Sequence, residues 1–243
     1  MCVFCGDINL TREHVFPNWM AKLFAEKTST TTVIERDGEV QSSYVSPVFQ
    51  QTLKRVCKAC NNGWMSDLEA KVKPIIEPML FRMDYSTELT QSEQDTLAFW
   101  TQKTSMILSL STGSDYRIPE SHFHELYDKL EPIDSISVRI GWRLPKKGKY
   151  GQHIAHYTVS EVKGPDNENL PTEVNGEVWR GILAIGNLVF HQSGATEDLK
   201  VELANNDDRV TPQIHPFIQN IRWPIEWPVD ALTSAGLKEF NQL

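Results

Sequence analysis

A chain of 243 residues has room for one large domain or two modest ones around a core that needs no staples. Hydrophobic residues at 40% and charged residues at 23% lie near the globular average, which excludes disordered, collagen-like and coiled-coil classes. Lys and Arg total 24 against 32 Asp and Glu, a net charge of −8, which argues against a broad nucleic-acid coat or an anionic-membrane binder.

The chain opens on a C-x-x-C knuckle, Cys2-Val3-Phe4-Cys5, repeated as Cys57-Lys58-Ala59-Cys60, and no cysteine follows residue 60. A disulfide framework would scatter its cysteines through a short secreted chain. Here Asp7, Arg12 and Glu13 near the start do not make a signal peptide, and no apolar run is long enough to span a membrane. A cytoplasmic protein with no membrane partner is expected. Two knuckles of identical spacing match a structural Zn²⁺ site of four thiolates. A redox C-x-x-C would follow a strand and open a helix in a thioredoxin-like unit, a setting neither pair suggests.

Asn18–Glu26 after Pro17 predicts a short helix, and Thr30–Ser46 a hairpin turning at Asp37-Gly38. Helical pattern resumes at Asn61 and runs to Leu80, with a kink expected at Pro74. A longer helix is expected over Ser92–Ser111, with Leu97, Trp100, Thr104, Ile107 and Leu108 on one face, and another over Pro119–Leu130 with proline in its first turn. Beyond Glu131 the period falls to two. Ile136–Leu144, Ile154–Val162, Glu177–Ile185 and Leu188–His191 read as antiparallel strands, with Lys146-Lys147-Gly148 as a turn. Trp223-Pro224 and Trp227-Pro228 read as irregular wall segments pinned by aromatics, and Ala231–Phe240 as a last short helix.

Charge divides the chain near the end of the cysteine-bearing part. Residues 1–72 carry eight basic and eight acidic residues, so the whole excess of −8 falls on residues 73–243. Two parts are expected: a neutral zinc-stapled front end over 1–72 and an acidic α+β body over 73–243.

A four-cysteine clip would draw Glu13-His14 and Asn61-Asn62 together across more than 50 residues of sequence. A carboxylate, an imidazole and an amide oxygen so placed can hold a hard divalent metal with a base beside it. Arg12, Lys54, Arg55 and Lys58 lie on the converging segments and supply local positive charge for phosphates. The cluster Lys146–Lys149 is a second basic candidate or a solvated hairpin tip. His122, His124, His153, His156, His191 and His215 show no metal spacing, Glu69 reads as a solvated helix carboxylate, and Trp19 and Trp64 as a roof over the zinc core.

At Cys2/Cys5, Glu13-His14-Val15-Phe16-Pro17 and Cys57/Cys60-Asn61, the sequence resembles the HNH nuclease family, also called the ββα-metal or His-Me finger. The resemblance covers about residues 1–72. It implies a ββα-metal finger, ahead of the helical and antiparallel-sheet body that periodicity predicts, acting as an endonuclease on DNA, with RNA as an alternative substrate. By the same resemblance His14 is the general base, Glu13 and Asn61 hold one Mg²⁺ or Mn²⁺, and the four cysteines hold structural zinc. Asn62 is a further ligand or a helix cap, with Asn61 favoured as ligand because it adjoins Cys60. Such fingers occur in phage, defence and mobile-element settings. Where the family often has an Asn that braces the histidine, this chain has Thr52, with Gln51 beside it. Glu13 replaces the commoner Asp, and the Thr30–Ser46 hairpin is an insertion. A different class stays open: a non-catalytic zinc module for nucleic-acid or protein binding, with the acidic body contacting a protein partner or a second copy.

Overall fold

The computed structural model describes residues 1–24, 30–36, 39–46, 49–81, 85–111, 118–143, 178–196 and 208–228, the two segments between 30 and 46 by backbone alone. The Asp37-Gly38 turn, the Lys146–Lys149 cluster, the strand expected over Ile154–Val162 with His153 and His156, and the helix expected over Ala231–Phe240 lie outside the described residues.

Strand β1 (Leu10–His14) is followed by helix α1 (Asn18–Leu23) and by the antiparallel hairpin β2 (Thr30–Arg36) and β3 (Glu39–Ser46). Strand β4 (Thr52–Cys57) then returns antiparallel to β1. Cys57 caps a single helical turn, α2 (Lys58–Cys60), which runs through a π-helical turn at Asn61–Met65 into helix α3 (Ser66–Phe81). The break in this helical run lies at Gly63, whose φ of −97° and ψ of −116° are not helical, while Pro74 and Pro78 both sit inside α3. The boundary drawn from charge at residue 72 therefore falls within α3.

Strand β5 (Thr87–Leu89) leads into helix α4 (Gln91–Ser109). A reciprocal capping box starts α4: the Glu93 N–H donates to the Thr90 hydroxyl at 3.4 Å, and the Glu93 carboxylate accepts the Thr90 N–H at 2.8 Å. Helix α5 (Glu120–Lys129) begins after Pro119, which stands at the N-cap rather than in the first turn. It ends where Leu130 turns left-handed at φ 52°.

Strands β6 (Ile136–Trp142), β7 (Val178–Ile185), β8 (Leu188–Ala195) and β9 (Gln213–His215) form an antiparallel sheet in the order β7-β8-β6-β9, and β10 (Ile221–Trp223) pairs with β5. The architecture is thus mixed helix and antiparallel sheet, α+β. The face of β8 that carries Phe190 and Gln192 looks at α4: Phe190 meets Trp100 edge-on at 6.3 Å, and the Gln192 amide bonds the Ser105 hydroxyl. Gly194 faces Trp179 so closely that a Cβ there would lie 2.5 Å from the indole nitrogen, which explains a glycine in mid-strand. At the β7–β8 turn Gly186 adopts φ +56°, and Asn187 N–H donates to the Leu80 carbonyl, tying the end of α3 to the sheet.

Helix α4 is central, packed by α3 on one side and by β6, β7 and β9 on the other. The expected apolar stripe is buried, but so are Thr101, Gln102, Lys103 and Ser105. Their polar groups are carried by the surroundings; Gln102, for example, accepts the Ile133 N–H at 2.8 Å and donates to the Ile136 carbonyl at 3.2 Å. One continuous core runs from Cys2 and Phe4 through α3, α4 and the sheet to Trp223 and Ile225. Of the two Trp-Pro steps, Trp223 is buried as expected, whereas Trp227 is 50% exposed. Among the described residues no helix is long and apolar enough to cross a membrane.

Candidate functional site

The four cysteines converge. Their sulfur atoms all lie within 4.8 Å of one another, with Cys2 Sγ 3.9 Å from Cys60 Sγ and Cys5 Sγ 3.5 Å from Cys57 Sγ. Zn–S bonds of about 2.3 Å in a tetrahedron set S···S edges of about 3.8 Å, so this donor set fits Zn²⁺ and is far too open for a disulfide. Each knuckle is shaped by its backbone. Gly6, at φ +77°, donates to the Cys2 carbonyl at 3.0 Å, and Cys57 Sγ accepts the Cys60 N–H at 3.4 Å. Burial pushes the Cys60 and Cys5 thiols up; for Cys2 the burial effect is outweighed by N–H groups of Cys5, Cys57 and Phe4, which pull it down. Phe4, between the first two cysteines, meets Trp64 edge-on at 5.3 Å, and Trp64 stacks on Phe99 of α4 at 5.6 Å. Trp64 thus packs against the first cysteine knuckle through Phe4, while Trp19 lies under the Lys73 ammonium. His124 Nδ1 bonds the Phe4 carbonyl at 3.0 Å, so α5 also supports the first knuckle.

The pairing of β1 with β4 places the motif residues. Thr11 faces Val56, Glu13 faces Leu53 and His14 faces Thr52, with a bulge that sets Arg12 opposite both Lys54 and Arg55. The three cations at the bulge and Lys58 on α2 are exposed and make no ion pair among the described residues. Thr52 is the direct cross-strand neighbour of His14, and Gln51 accepts the Val15 N–H through its carbonyl at 3.0 Å. His14 is half-buried and Glu13 is only 3% exposed. Among the described residues no hydrogen-bond donor reaches the Glu13 carboxylate.

Asn61 enters from the helical side. The Thr11 hydroxyl donates to the Val56 carbonyl at 3.4 Å, so its oxygen accepts the Asn61 Nδ2–H at 3.3 Å. That commits the amide nitrogen and leaves Oδ1 as the free end, with Thr11 two residues before Glu13 on β1. Asn62 is exposed inside the π-helical turn, so it does not cap a helix.

One contributor comes from the body. Lys103 of α4 is 0% exposed and its Nζ lies 3.0 Å from Oε1 of Glu69, whose side chain is 22% exposed. Glu69 is therefore an ion-paired, largely covered carboxylate and not a solvated one. Burial pushes Glu13 up to about 7, an effect that Lys103 opposes and Glu69 reinforces. Sequence reasoning passed over Lys103, although it stands three residues after Trp100 and four before Ile107 and so shares their helical face. The other described histidines stand apart: His122 is buried beside Trp179, His191 beside Arg139, and His215 Nε2–H donates to the Ile133 carbonyl at 3.1 Å.

Compared with protein-family models, with curated proteins and with solved structures, the chain matches none.

Proposed function

We propose that residues 1–72 form a ββα-metal finger of the HNH type, and that the protein is an endonuclease hydrolysing phosphodiester bonds in DNA. The observation that carries this reading is a buried carboxylate that meets no donor among the described residues, Glu13, on the strand whose Thr11 hydroxyl engages the amide nitrogen of Asn61. Both Glu13 and Asn61 offer oxygen donors suited to Mg²⁺ or Mn²⁺, and Glu13 adjoins His14 in sequence. Zinc on the four cysteines would be structural, clamping the strand pair to the helix start.

Glu13 and Asn61 would hold the divalent ion, with Asn62 as a further oxygen donor at the same turn. When bound, that ion supplies Lewis-acid stabilisation of charge on the scissile phosphate and the leaving oxygen. His14, in its neutral form, accepts the proton of the attacking water. Arg12, Lys54, Arg55 and Lys58 bind the nucleic-acid backbone and set its register, although the chain as a whole is acidic. RNA would meet the same cations, so both polymers belong in the assay.

The net charge of −8 favours a second reading, in which the finger only scaffolds a nucleic-acid or protein contact. Nicking of supercoiled plasmid with added Mg²⁺ or Mn²⁺ separates the two. Cleavage that needs the added ion and His14 supports the nuclease; a folded, zinc-loaded chain that leaves DNA and RNA intact supports the scaffold.

A further inference from the structure

Among the described residues, the two most exposed large apolar side chains are Met1 at 82% and Ile8 at 78%, and both flank the first cysteine knuckle. The Cys2 N–H donates to the Asp7 carbonyl at 2.7 Å, which brings the backbones of Met1 and Ile8 together. Ile8 tops a turn that is pinned on both sides. Asp7 Oδ1 accepts the Asn9 N–H at 2.8 Å and the Asn9 Nδ2–H at 2.9 Å, and the Leu10 N–H closes onto the Ile8 carbonyl at 3.0 Å. The Asn9 carbonyl in turn accepts the Lys58 N–H at 3.3 Å. Ile8 is thus bracketed by backbone bonds to both knuckles, through Cys2 on one side and Lys58 on the other. Single apolar residues are ordinary on a protein surface. An isoleucine held out on a fixed tip between polar flanks, beside a second exposed apolar residue, is a different arrangement.

The charge around the tip argues for its occupant. Leu10 pairs with Cys57, so Ile8 and Lys58 share one end of the β1–β4 ribbon. Arg12, Lys54 and Arg55 follow along it, exposed and without an ion pair among the described residues. The Val3 N–H also donates to the Arg55 carbonyl at 3.0 Å, which ties this stretch to the knuckle. The Asp7 carboxylate at the turn is engaged by Asn9. Free cations beside an apolar point match a polyanion with an apolar interior, the phosphates and base stack of a duplex. Resting on the reading of these cations as the phosphate contact, we propose that Ile8, with Met1 beside it, is a wedge that enters the base stack of duplex DNA. The preferred substrate is then DNA already locally unstacked, as at a bulge or mismatch. The cations hold any duplex, whereas the wedge selects, because a paired step must first be unstacked and a bulged one need not. The tip is ordered in advance by its hydrogen bonds, so little conformational freedom is lost on insertion.

The test is fluorescence anisotropy with the full zinc-loaded chain, without added Mg²⁺ or Mn²⁺, on a paired duplex and on the same duplex carrying a short bulge. The wild type should bind the bulged duplex about tenfold more tightly. Ile8→Thr, similar in shape at an exposed position, should bind both duplexes alike at unchanged zinc content and melting temperature. Ile8→Leu should restore the preference. Neutralising Lys54, Arg55 and Lys58 together should weaken both complexes and leave their ratio as it is. Equal affinities in the wild type, or an undiminished preference in Ile8→Thr, overturn the proposal; plasmid nicking by the same wild type would leave the nuclease reading standing. A preference that depends on Ile8, in a protein that cleaves no DNA, upholds the wedge and refutes the nuclease. A wild type that binds neither duplex overturns the wedge and the phosphate role of the ribbon together, and leaves the exposed pair to a protein contact.

Discussion

Glu13 and His14 are neighbours in sequence with different surroundings. The carboxylate points into the protein, where burial pushes it up to about 7. The imidazole is half-buried, at the end of β1 where the ribbon opens. A proton and a divalent ion compete for Glu13. Because its folded value is raised, the protonated form persists to near neutrality, and Mn²⁺ affinity should climb as pH rises through about 7 and level off above. Calorimetric titration with Mn²⁺ at pH 6, 7 and 8 checks this, and an affinity independent of pH would remove Glu13 from the ligand set. The residue types and spacing of this motif were legible in the sequence. The depth of Glu13, 3% exposed, was not, because an acidic residue in a short strand gives no sign of which face the rest of the chain covers.

The element that makes the site is the β1–β4 ribbon. The hairpin β2–β3 could be read from alternation around Asp37-Gly38, a local signal. The ribbon carries no turn of its own, since its strands are separated by the whole stretch that holds β2 and β3, and only the paired knuckles reveal that they meet. Zinc on the four cysteines would therefore supply a contact the chain cannot make locally. Replacing Cys57 with Ser should release the metal and unfold the ribbon and α2, read by metal analysis and by loss of amide protection at Leu10–His14. The same ribbon displays Arg12, Lys54 and Arg55 at its bulge with Lys58 just beyond. Neutralising Lys54, Arg55 and Lys58 together should weaken DNA binding alike on all sequences and flatten its salt dependence by about one unit per lost phosphate contact. An unchanged slope would place the polymer elsewhere. Helix α4 was legible in length and in its apolar stripe, but its buried Thr101, Gln102 and Lys103 were not. Periodicity marks the first face to be covered and is silent on a helix enclosed from both sides.

Across the whole molecule the front end and the body share one core, through Trp64 on Phe99 and Phe4 on Phe123. The change of charge at residue 72 was real in the sequence, yet α3 runs through it without a break. Three buried histidines should govern acid stability. Burial lowers His122 and His215, and burial with Arg139 beside it brings His191 to about 4 from an ordinary 6.5. These values lie below those of the unfolded chain, which therefore binds protons first. The stability they confer is complete above about 6.5 and is lost as pH falls toward 4, on the order of 3 kcal/mol for His191 alone. Urea unfolding at pH 7.5 and 5 should show that loss, and His191→Gln should diminish it. Metal-dependent nicking of supercoiled plasmid by the full zinc-loaded chain, beside His14→Ala at matched zinc content and melting temperature, tests the nuclease most directly. The expected result is cleavage that requires added Mg²⁺ or Mn²⁺ and falls by roughly 10²–10⁴-fold in the variant, the usual contribution of a positioned base. A folded His14→Ala protein that cleaves as fast as the wild type would contradict it.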